Sequence, residues 1–259
     1  MNIRLINITP NPIKTIADAG RTCYNSKSSG LESDVKLIKA LITSGHESVL
    51  EHVSATFRIN EVSRSLTHQL VRHRLCSFSQ QSQRYVKEDQ FDFVIPPSII
   101  FMGLDDDSGL TAVDDYIQDM YIIQGMYDKW KSRGLKNEDA RYVLPNACTS
   151  EIVITANLRE WRTILKLRCD SHAQWEIRRM ARFCLTQLYN SVPIVFEDLA
   201  DKYSPKPILS FDEWQDEYQP EIAWAESGAD REMDFDSERK AEEEYDEYLK
   251  TINMGENED

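Results

Sequence analysis

The chain is short of cysteine, glycine and long apolar runs, and each shortage removes a class of protein. Its five cysteines (Cys23, Cys76, Cys148, Cys169 and Cys184) are scattered, odd in number and without a C-x-x-C pair. A disulfide scaffold or a zinc ribbon needs closely spaced pairs, so neither is expected, and a reducing cytoplasm is the default compartment. Nine glycines in 259 residues supply no G-x-G-x-x-G and no Walker-type loop, which removes the common Gly-rich phosphate cradles. No apolar run approaches the roughly 20 residues of a membrane span. The opening MNIRLINITPNPIK lacks a basic-then-apolar signal layout. Histidine is also scarce, and its spacing is wrong for a metal. His46 and His52 fall about 240° apart on a helix, and His68 and His73 also diverge, so no metal site is expected.

What is present is unevenly distributed. The net charge is −14, yet residues 211–259 hold 19 Asp/Glu against 4 Lys/Arg. Residues 1–210 hold 25 and 26, a net of +1. A neutral body of residues 1–210 and an acidic tail of residues 211–259 are therefore expected. The whole-chain charge says little about whether the body binds anions.

Hydrophobic periodicity predicts long helices with few strands. Helices are expected over Asp34–Thr43, Ser63–Leu75, Val113–Trp130, Asn137–Leu144 (Asn137 as N-cap), Arg159–Arg168, His172–Tyr189 and Pro193–Tyr203. Strands are expected at Ser54–Asn60, Phe91–Ile95 and Ser150–Leu158, a turn at Asp105–Gly109, and a polar loop over Ser77–Arg84. Tyr245, Tyr248, Leu249 and Ile252 have helical spacing within the tail. Long helices with scattered strands read as α+β, a single domain of long helices around a small sheet, rather than a doubly wound sheet.

The chemistry concentrates in QLVRHRLCSFSQQSQR, Gln69 to Arg84. Gln69, Arg72 and His73 stand at i, i+3 and i+4, one helix face. Beyond them Ser77, Ser82 and Arg84 line a loop. Guanidiniums and hydroxyls gathered at a turn suit a phosphate, because arginine donates bidentate charge-assisted bonds. Composition alone favours a solvated basic face on a surface helix. Two further stretches that carry arginine, Ala140 to Pro145 and Asn157 to Glu176, weaken that reading. Arg168 beside Leu167 is costly unless it meets an anion or a carboxylate such as Asp170. Cys76, among arginines that would lower its pKa, is the best thiol nucleophile, though a small buried thiol is the simpler reading of each cysteine.

Arg72-His73-Arg74 followed by Ser77, Ser82 and Arg84 resembles the RHRxxSxxxxSxR signature of flavin-dependent thymidylate synthases. Gly45 to His52 (GHESVLEH), QLVRHR, ARYVLP, the NLR of Asn157 to Arg159, and Leu167 to Glu176 (LRCDSHAQWE) are similar to that family in order and spacing, over about residues 1–204. The resemblance implies a homotetramer with active sites between subunits, and FAD held without a Rossmann domain. It implies reductive methylation of dUMP to dTMP, with methylenetetrahydrofolate as carbon donor and NADPH as reductant. Nucleic acid and membrane are not among the implied partners.

Residue by residue, the resemblance implies that Ser48, Arg72, His73, Arg74, Gln80, Asn157, Arg159, Thr163 and His172 serve the flavin, with His46 nearby. It implies that Gln69, Arg72, Gln80, Gln81, Ser82, Gln83, Arg84 and Arg141 bind dUMP, with Gln80 to Arg84 reaching in from a neighbouring subunit. Arg168 would sit at the uracil ring and act catalytically. A cation there stabilises charge developing as C5 becomes nucleophilic. Three positions depart from the family pattern: Ser79 for a usual Asn, Gln80 for a frequent Glu, and Thr163 for a frequent Asn. A non-catalytic nucleotide-binding relative would accommodate those departures. An RNA-binding module using Tyr85 would bind in a salt-sensitive way, which the near-neutral body does not favour.

Overall fold

The computed structural model describes residues 1–203 apart from residues 89, 101 and 103–110. The Asp105–Gly109 turn and the tail helix expected near Tyr245 lie outside the described residues. By contact the described chain forms two bodies, residues 1–94 with 123–203 and residues 95–122. The smaller body contains the short helix Pro97–Ile100 and the first half of the long helix Ala112–Ser132.

The larger body is built on a four-stranded antiparallel sheet. Its strands are β1 (Asn2–Ile8), β2 (Ser54–Ser63), β3 (Ser77–Gln80) and β4 (Thr149–Asn157), in the order β1-β2-β4-β3. The helices are α1 (Pro12–Tyr24), α2 (Leu31–Thr43), α3 (Arg64–Leu70), α4 (Pro97–Ile100), α5 (Ala112–Ser132), α6 (Asn137–Ala140), α7 (Leu158–Arg168), α8 (Trp175–Ser191) and α9 (Pro193–Tyr203). Two 3-10 segments, Glu47–His52 and Arg141–Val143, complete the order. The α+β architecture is the one its periodicities predict.

Alternation makes the sheet one-sided. Ala55, Phe57 and Ile59 of β2 and Ile152, Ile154 and Ala156 of β4 point to the same buried face, as period-two strands require. Trp161 of α7 closes on that face. It meets the Phe57 ring edge-on at 4.9 Å and donates its indole N–H to the Ala55 carbonyl at 3.0 Å. The β2–β4 register shifts between Ile59 and Val62, where Glu61 takes a φ of 57°. That irregularity turns the end of β2 into the start of α3.

Several expected elements differ in extent, each for a local reason. The first four residues of the expected Ser77–Arg84 loop form edge strand β3, paired from Ser77↔Thr155 to Gln80↔Ile152. Their polar sequence suits an edge whose side chains stay exposed or half-buried. Phe91–Ile95 makes one bridge, Phe93↔Cys148, rather than a strand. The helix expected to reach Leu75 stops at Leu70, because Arg72 N–H and His73 N–H close tight i→i+3 turns on Gln69 and Leu70. The Asn137–Leu144 helix splits into α6 and a 3-10 turn, with Lys136 as its N-cap. The helix expected from His172 begins at Trp175, since the Gln174 side chain accepts from Glu176 N–H and Ile177 N–H. β1 and α1 had no counterpart among the expected elements.

α1 lies on α2 at close range. A Cβ on Gly20 would come within 2.9 Å of Leu41 Cδ1, so a larger residue would require the end of the Leu41 side chain to shift. Arg21 of α1 donates to Asp34 of α2 at 2.9 and 3.1 Å, tying the pair.

Candidate active site

Two well-made helix starts place the chemistry. Ser63 caps α3: its hydroxyl accepts from Leu66 N–H at 3.0 Å and donates to the buried Glu176 carboxylate. Glu176 also accepts from Ser63 N–H at 2.7 Å. Asn157 caps α7, its Oδ1 accepting from Glu160 N–H at 2.8 Å. These are the N-cap bonds that satisfy orphan helix donors. α3 ends at the turn carrying Arg72 and His73, and α7 ends at Arg168.

Arg168 and His73 meet there. Arg168 Nε donates to His73 Nε2 at 3.0 Å, and its Nη2 donates to the Gln69 carbonyl at 3.2 Å. Among the described residues Arg168 does not make the pair with Asp170 that was one alternative for it: Asp170 accepts instead from His172 N–H at 3.0 Å and lies 2.7 Å from its Nδ1. Arg168 is a half-buried cation held by neutral acceptors. Burial lowers its pKa, yet a guanidinium stays charged. His73 is buried, and burial, reinforced by Arg168, pushes its pKa down to about 4. A neutral ring that accepts at Nε2 carries its proton on Nδ1. That nitrogen faces Glu160 Oε1 at 3.7 Å. The contact is within ion-pair range, but at neutral pH it joins a carboxylate to an uncharged ring.

A second group lies at the SQQSQR segment. Arg84 donates from Nε and Nη2 to Glu138 Oε2 at 3.2 and 3.1 Å, and its guanidinium lies 5.5 Å from the Tyr85 ring centroid. Arg141 Nε donates to the Glu138 carbonyl at 3.2 Å. Two arginines thus converge on one residue, Arg84 on its carboxylate and Arg141 on its backbone carbonyl. Ser82 Oγ accepts from Arg84 N–H at 3.3 Å. Gln83 is buried, with no partner for its amide nitrogen among the described residues, while Gln81 is exposed. Gln80 points within its own chain, donating to Thr67 Oγ1 at 3.0 Å and Ser150 Oγ at 3.1 Å. Its side-chain carbonyl remains available as an acceptor.

The third group joins α7 to the 3-10 segment Glu47–His52. Arg159 pairs with Glu51, and Arg162 pairs with Glu47 at 3.1 Å and with Asp198 at 2.7 Å. Exposed Ser48 and His46 stand beside this anchored segment, and exposed Thr163 donates back to the Arg159 carbonyl at 3.2 Å. His172 is almost fully exposed. Arg72 and Arg74 are exposed, and no hydrogen bond or ion pair engages either guanidinium among the described residues. The described part of one chain brings together Gln69, His73 and Arg168, and separately Ser82, Arg84 and Arg141. No hydrogen bond joins these two sets.

Cys76 has none of the activation expected from nearby arginines. Burial, with Glu160 adding to it, pushes its thiol up to about 12. Burial likewise pushes Cys148 and Cys169 up to about 12. Among the described residues no cluster of three His, Cys, Asp or Glu side chains could hold a metal, and no helix is long and apolar enough to cross a membrane.

Glu160 and Glu176 were not singled out by sequence reasoning. Glu160 and Arg168 stand at i and i+8, two turns apart on one stripe of α7. Asn157-x-x-Glu160 has capping-box spacing. Both signals were there to read. The burial of Arg162 was not readable, because its partners Glu47 and Asp198 come from distant segments.

A small antiparallel sheet backed by helices, with Arg72 and Arg74 exposed at the turn after α3, defines an α+β protein. The family model described as thymidylate synthase complementing protein matches residues 4–194, and the chain belongs to that family. A flavin-dependent thymidylate synthase of Clostridium tetani is 41% identical over 220 residues, covering 76% of this chain and 86% of that relative. One of Nitratidesulfovibrio vulgaris is 39% identical over 211 residues, covering 75% and 84%. One of Mycobacterium avium is 41% identical over 196 residues, covering 70% and 76%.

Proposed function

We propose that the protein is a flavin-dependent thymidylate synthase. It converts dUMP to dTMP, taking the one-carbon unit from methylenetetrahydrofolate and reducing equivalents from NADPH, and works as a homotetramer with shared sites. The observation that carries this reading is the Gln69, His73 and Arg168 set, a half-buried guanidinium aimed by two neutral acceptors within the family's own segments.

The residues present suit FAD. Arg72 and Arg74 offer guanidiniums with no carboxylate partner among the described residues, which fits an anionic diphosphate. Among the described residues no hydrogen bond engages the amide N–H groups of Asn157, while its oxygen caps α7. Ser48, Gln80, Arg159, Thr163 and His172 complete the set that would hold the cofactor. Bound FAD would supply the reducing chemistry that side chains lack.

The chain's own residues bind and polarise dUMP. Arg84 and Arg141 take the phosphate, Arg84 leaving Glu138 to do so, with Ser82 beside them and Gln81 and Gln83 on the same segment. Gln69, Arg72 and Gln80 meet the rest of the nucleotide. Arg168 lies against the pyrimidine edge, where positive charge stabilises negative charge developing on the ring and raises electron density at C5. Its own acceptors are neutral, so among the described residues no carboxylate pairs directly with it. The overall change replaces the C5 hydrogen of the ring with a methyl group. No enzyme thiol is required, in keeping with the raised pKa of Cys76.

The test is spectroscopic and chemical. The purified protein should be yellow with near-stoichiometric flavin, and should form dTMP from dUMP, methylenetetrahydrofolate and NADPH. A colourless protein that takes up no added FAD, or a flavin-loaded protein that makes no dTMP, would overturn the reading.

A further inference from the structure

We propose that Glu160 is a positioning residue that fixes which nitrogen of His73 carries the proton, and through it the direction of Arg168. The proposal rests on the function above. Its elements are three side chains in series. Glu160 Oε1 lies 3.7 Å from His73 Nδ1, and His73 Nε2 accepts from Arg168 Nε at 3.0 Å. Arg168 Nη2 is fixed in turn by the Gln69 carbonyl at 3.2 Å.

The chemistry of imidazole makes the arrangement directional. A neutral ring has one N–H and one lone pair. If the N–H were on Nε2, it would face the Arg168 Nε–H at hydrogen-bond distance, donor against donor. The guanidinium would then swing away from Gln69 and from the pyrimidine edge. A carboxylate beside Nδ1 favours an N–H there and disfavours a lone pair, so it holds the productive tautomer. Partners on the far side of a functional histidine commonly act this way.

Burial supports a specific task for this carboxylate. The Glu160 side chain is 9% exposed and that of His73 is 6% exposed. A carboxylate out of water is costly unless something offsets it. Position 160 is in the first turn of α7, where the helix dipole favours an anion, and that alone would account for an exposed acid. It does not account for one turned inward against a histidine. Among the described residues, the titratable groups facing Glu160 are His73, with Arg168 beyond it, and Cys76, whose thiol stays neutral.

The experiment uses the full-length purified protein with 15N-labelled histidine, the His73 signals being identified by their loss in His73→Gln. The wild type should show a protonated Nδ1 and a bare Nε2. In Glu160→Gln the amide can donate to a bare Nδ1 as readily as it accepts from Nδ1–H. That variant should gain a population with protonated Nε2, and kcat should fall about 10-fold, the lower end for second-layer changes, with KM for dUMP little altered. Glu160→Asp keeps the charge and should keep the wild-type tautomer and most of the rate. An unchanged tautomer in Glu160→Gln, whether or not the rate falls, overturns the proposal. Should Glu160→Gln not fold, a wild-type spectrum with protonated Nε2 overturns it equally. A Glu160-dependent tautomer in a wild-type protein that makes no dTMP would sink the functional reading and leave this contact standing.

Discussion

Arg168 and His73 lie at the ends of α7 and the turn after α3, and the 3.0 Å hydrogen bond between them makes a neutral histidine the acceptor for a half-buried guanidinium. The usual partner of a buried arginine is a carboxylate, which would cancel its field. Here the cation is oriented without being neutralised. Arg168→Ala should therefore retain flavin and lose dTMP formation by at least ~100-fold, the scale of removing one donor aimed at developing charge. Arg168→Lys should be nearly as poor, because a single ammonium cannot span both His73 Nε2 and the Gln69 carbonyl. Activity of Arg168→Ala within a few-fold of wild type would remove the catalytic role.

His73 gives a pH signature. Its pKa is about 4 in the folded chain against an ordinary 6.5. The unfolded chain thus binds a proton over a range in which the folded chain refuses it. The stability linked to this group is complete above pH 6.5 and is lost as pH falls toward 4. The loss is on the order of 3 kcal/mol at most. Glu160 and Glu176, whose pKa values burial raises, act in the opposite direction. The measurement is therefore a difference: urea midpoints of wild type and His73→Gln between pH 4 and 7. Wild type should gain on the variant as pH rises through that window, and a flat difference would mean that His73 titrates normally.

The cysteines should prove dispensable for chemistry. Cys76 sits within the signature segment, yet burial pushes its thiol up to about 12, with Glu160 adding to the effect. At neutral pH almost none is thiolate, the reactive form. Cys76→Ser should fold, bind flavin and keep dTMP formation within a few-fold of wild type. A folded, flavin-loaded but inactive Cys76→Ser would restore a thiol mechanism.

The sequence carried local information well and distant pairings poorly. α9 begins at Pro193 and ends at Tyr203 as its proline and periodicity require. α7 and β4 fall within a residue of expectation, because cap and alternation are both local. β3 was hidden: Ser77–Gln80 has no hydrophobic alternation, and its order comes from the edge of β4 75 residues away in sequence. The site shows the same division. Arg168 was marked as needing a partner, but that the partner is a neutral imidazole depends on how far α3 runs before it turns. Nothing within Ser63–Leu75 announces the stop at Leu70.

Arg162 is a case of distant pairing with a measurable consequence. Its side chain is 2% exposed, pairs with Glu47 and Asp198, and donates to the Val195 carbonyl. It fastens α7 to α9 and to the segment bearing His46 and Ser48. Arg162→Ala leaves a cavity and takes the buried cation from Asp198 and from the mostly buried Glu47, which keeps only Lys166 at 3.5 Å. It should cost about 3–5 kcal/mol, the range for breaking a buried pair, read as a fall in the urea midpoint. Arg162→Met keeps the volume and should cost less. A midpoint unchanged in Arg162→Ala would show that the network carries no stability.

The arrangement of the dUMP residues bears on whether one chain makes a complete site. Arg84 and Arg141 gather at Glu138, while Gln69, His73 and Arg168 gather at the end of α7, and no hydrogen bond connects the groups among the described residues. If the two groups around one dUMP belong to different subunits, Arg84→Ala and Arg168→Ala chains should each be inactive alone. Refolded together, they should regain part of the activity, because some sites would take an intact Arg84 from one chain and an intact Arg168 from the other. Arg84→Ala should weaken dUMP binding by ~1.5–3 kcal/mol, the value of one charged hydrogen bond. The loss should lie toward the lower end, since wild-type Arg84 must first release Glu138. Glu138→Gln frees Arg84 in advance and should tighten dUMP. Gln80→Glu, which restores the family's frequent residue, should be tolerated: its oxygens can accept from the Ser150 hydroxyl that Gln80 now donates to. The decisive measurement is dTMP formation by hetero-oligomers whose mixed composition is established by mass. Full inactivity of confirmed mixed oligomers would mean that each site is built within one subunit.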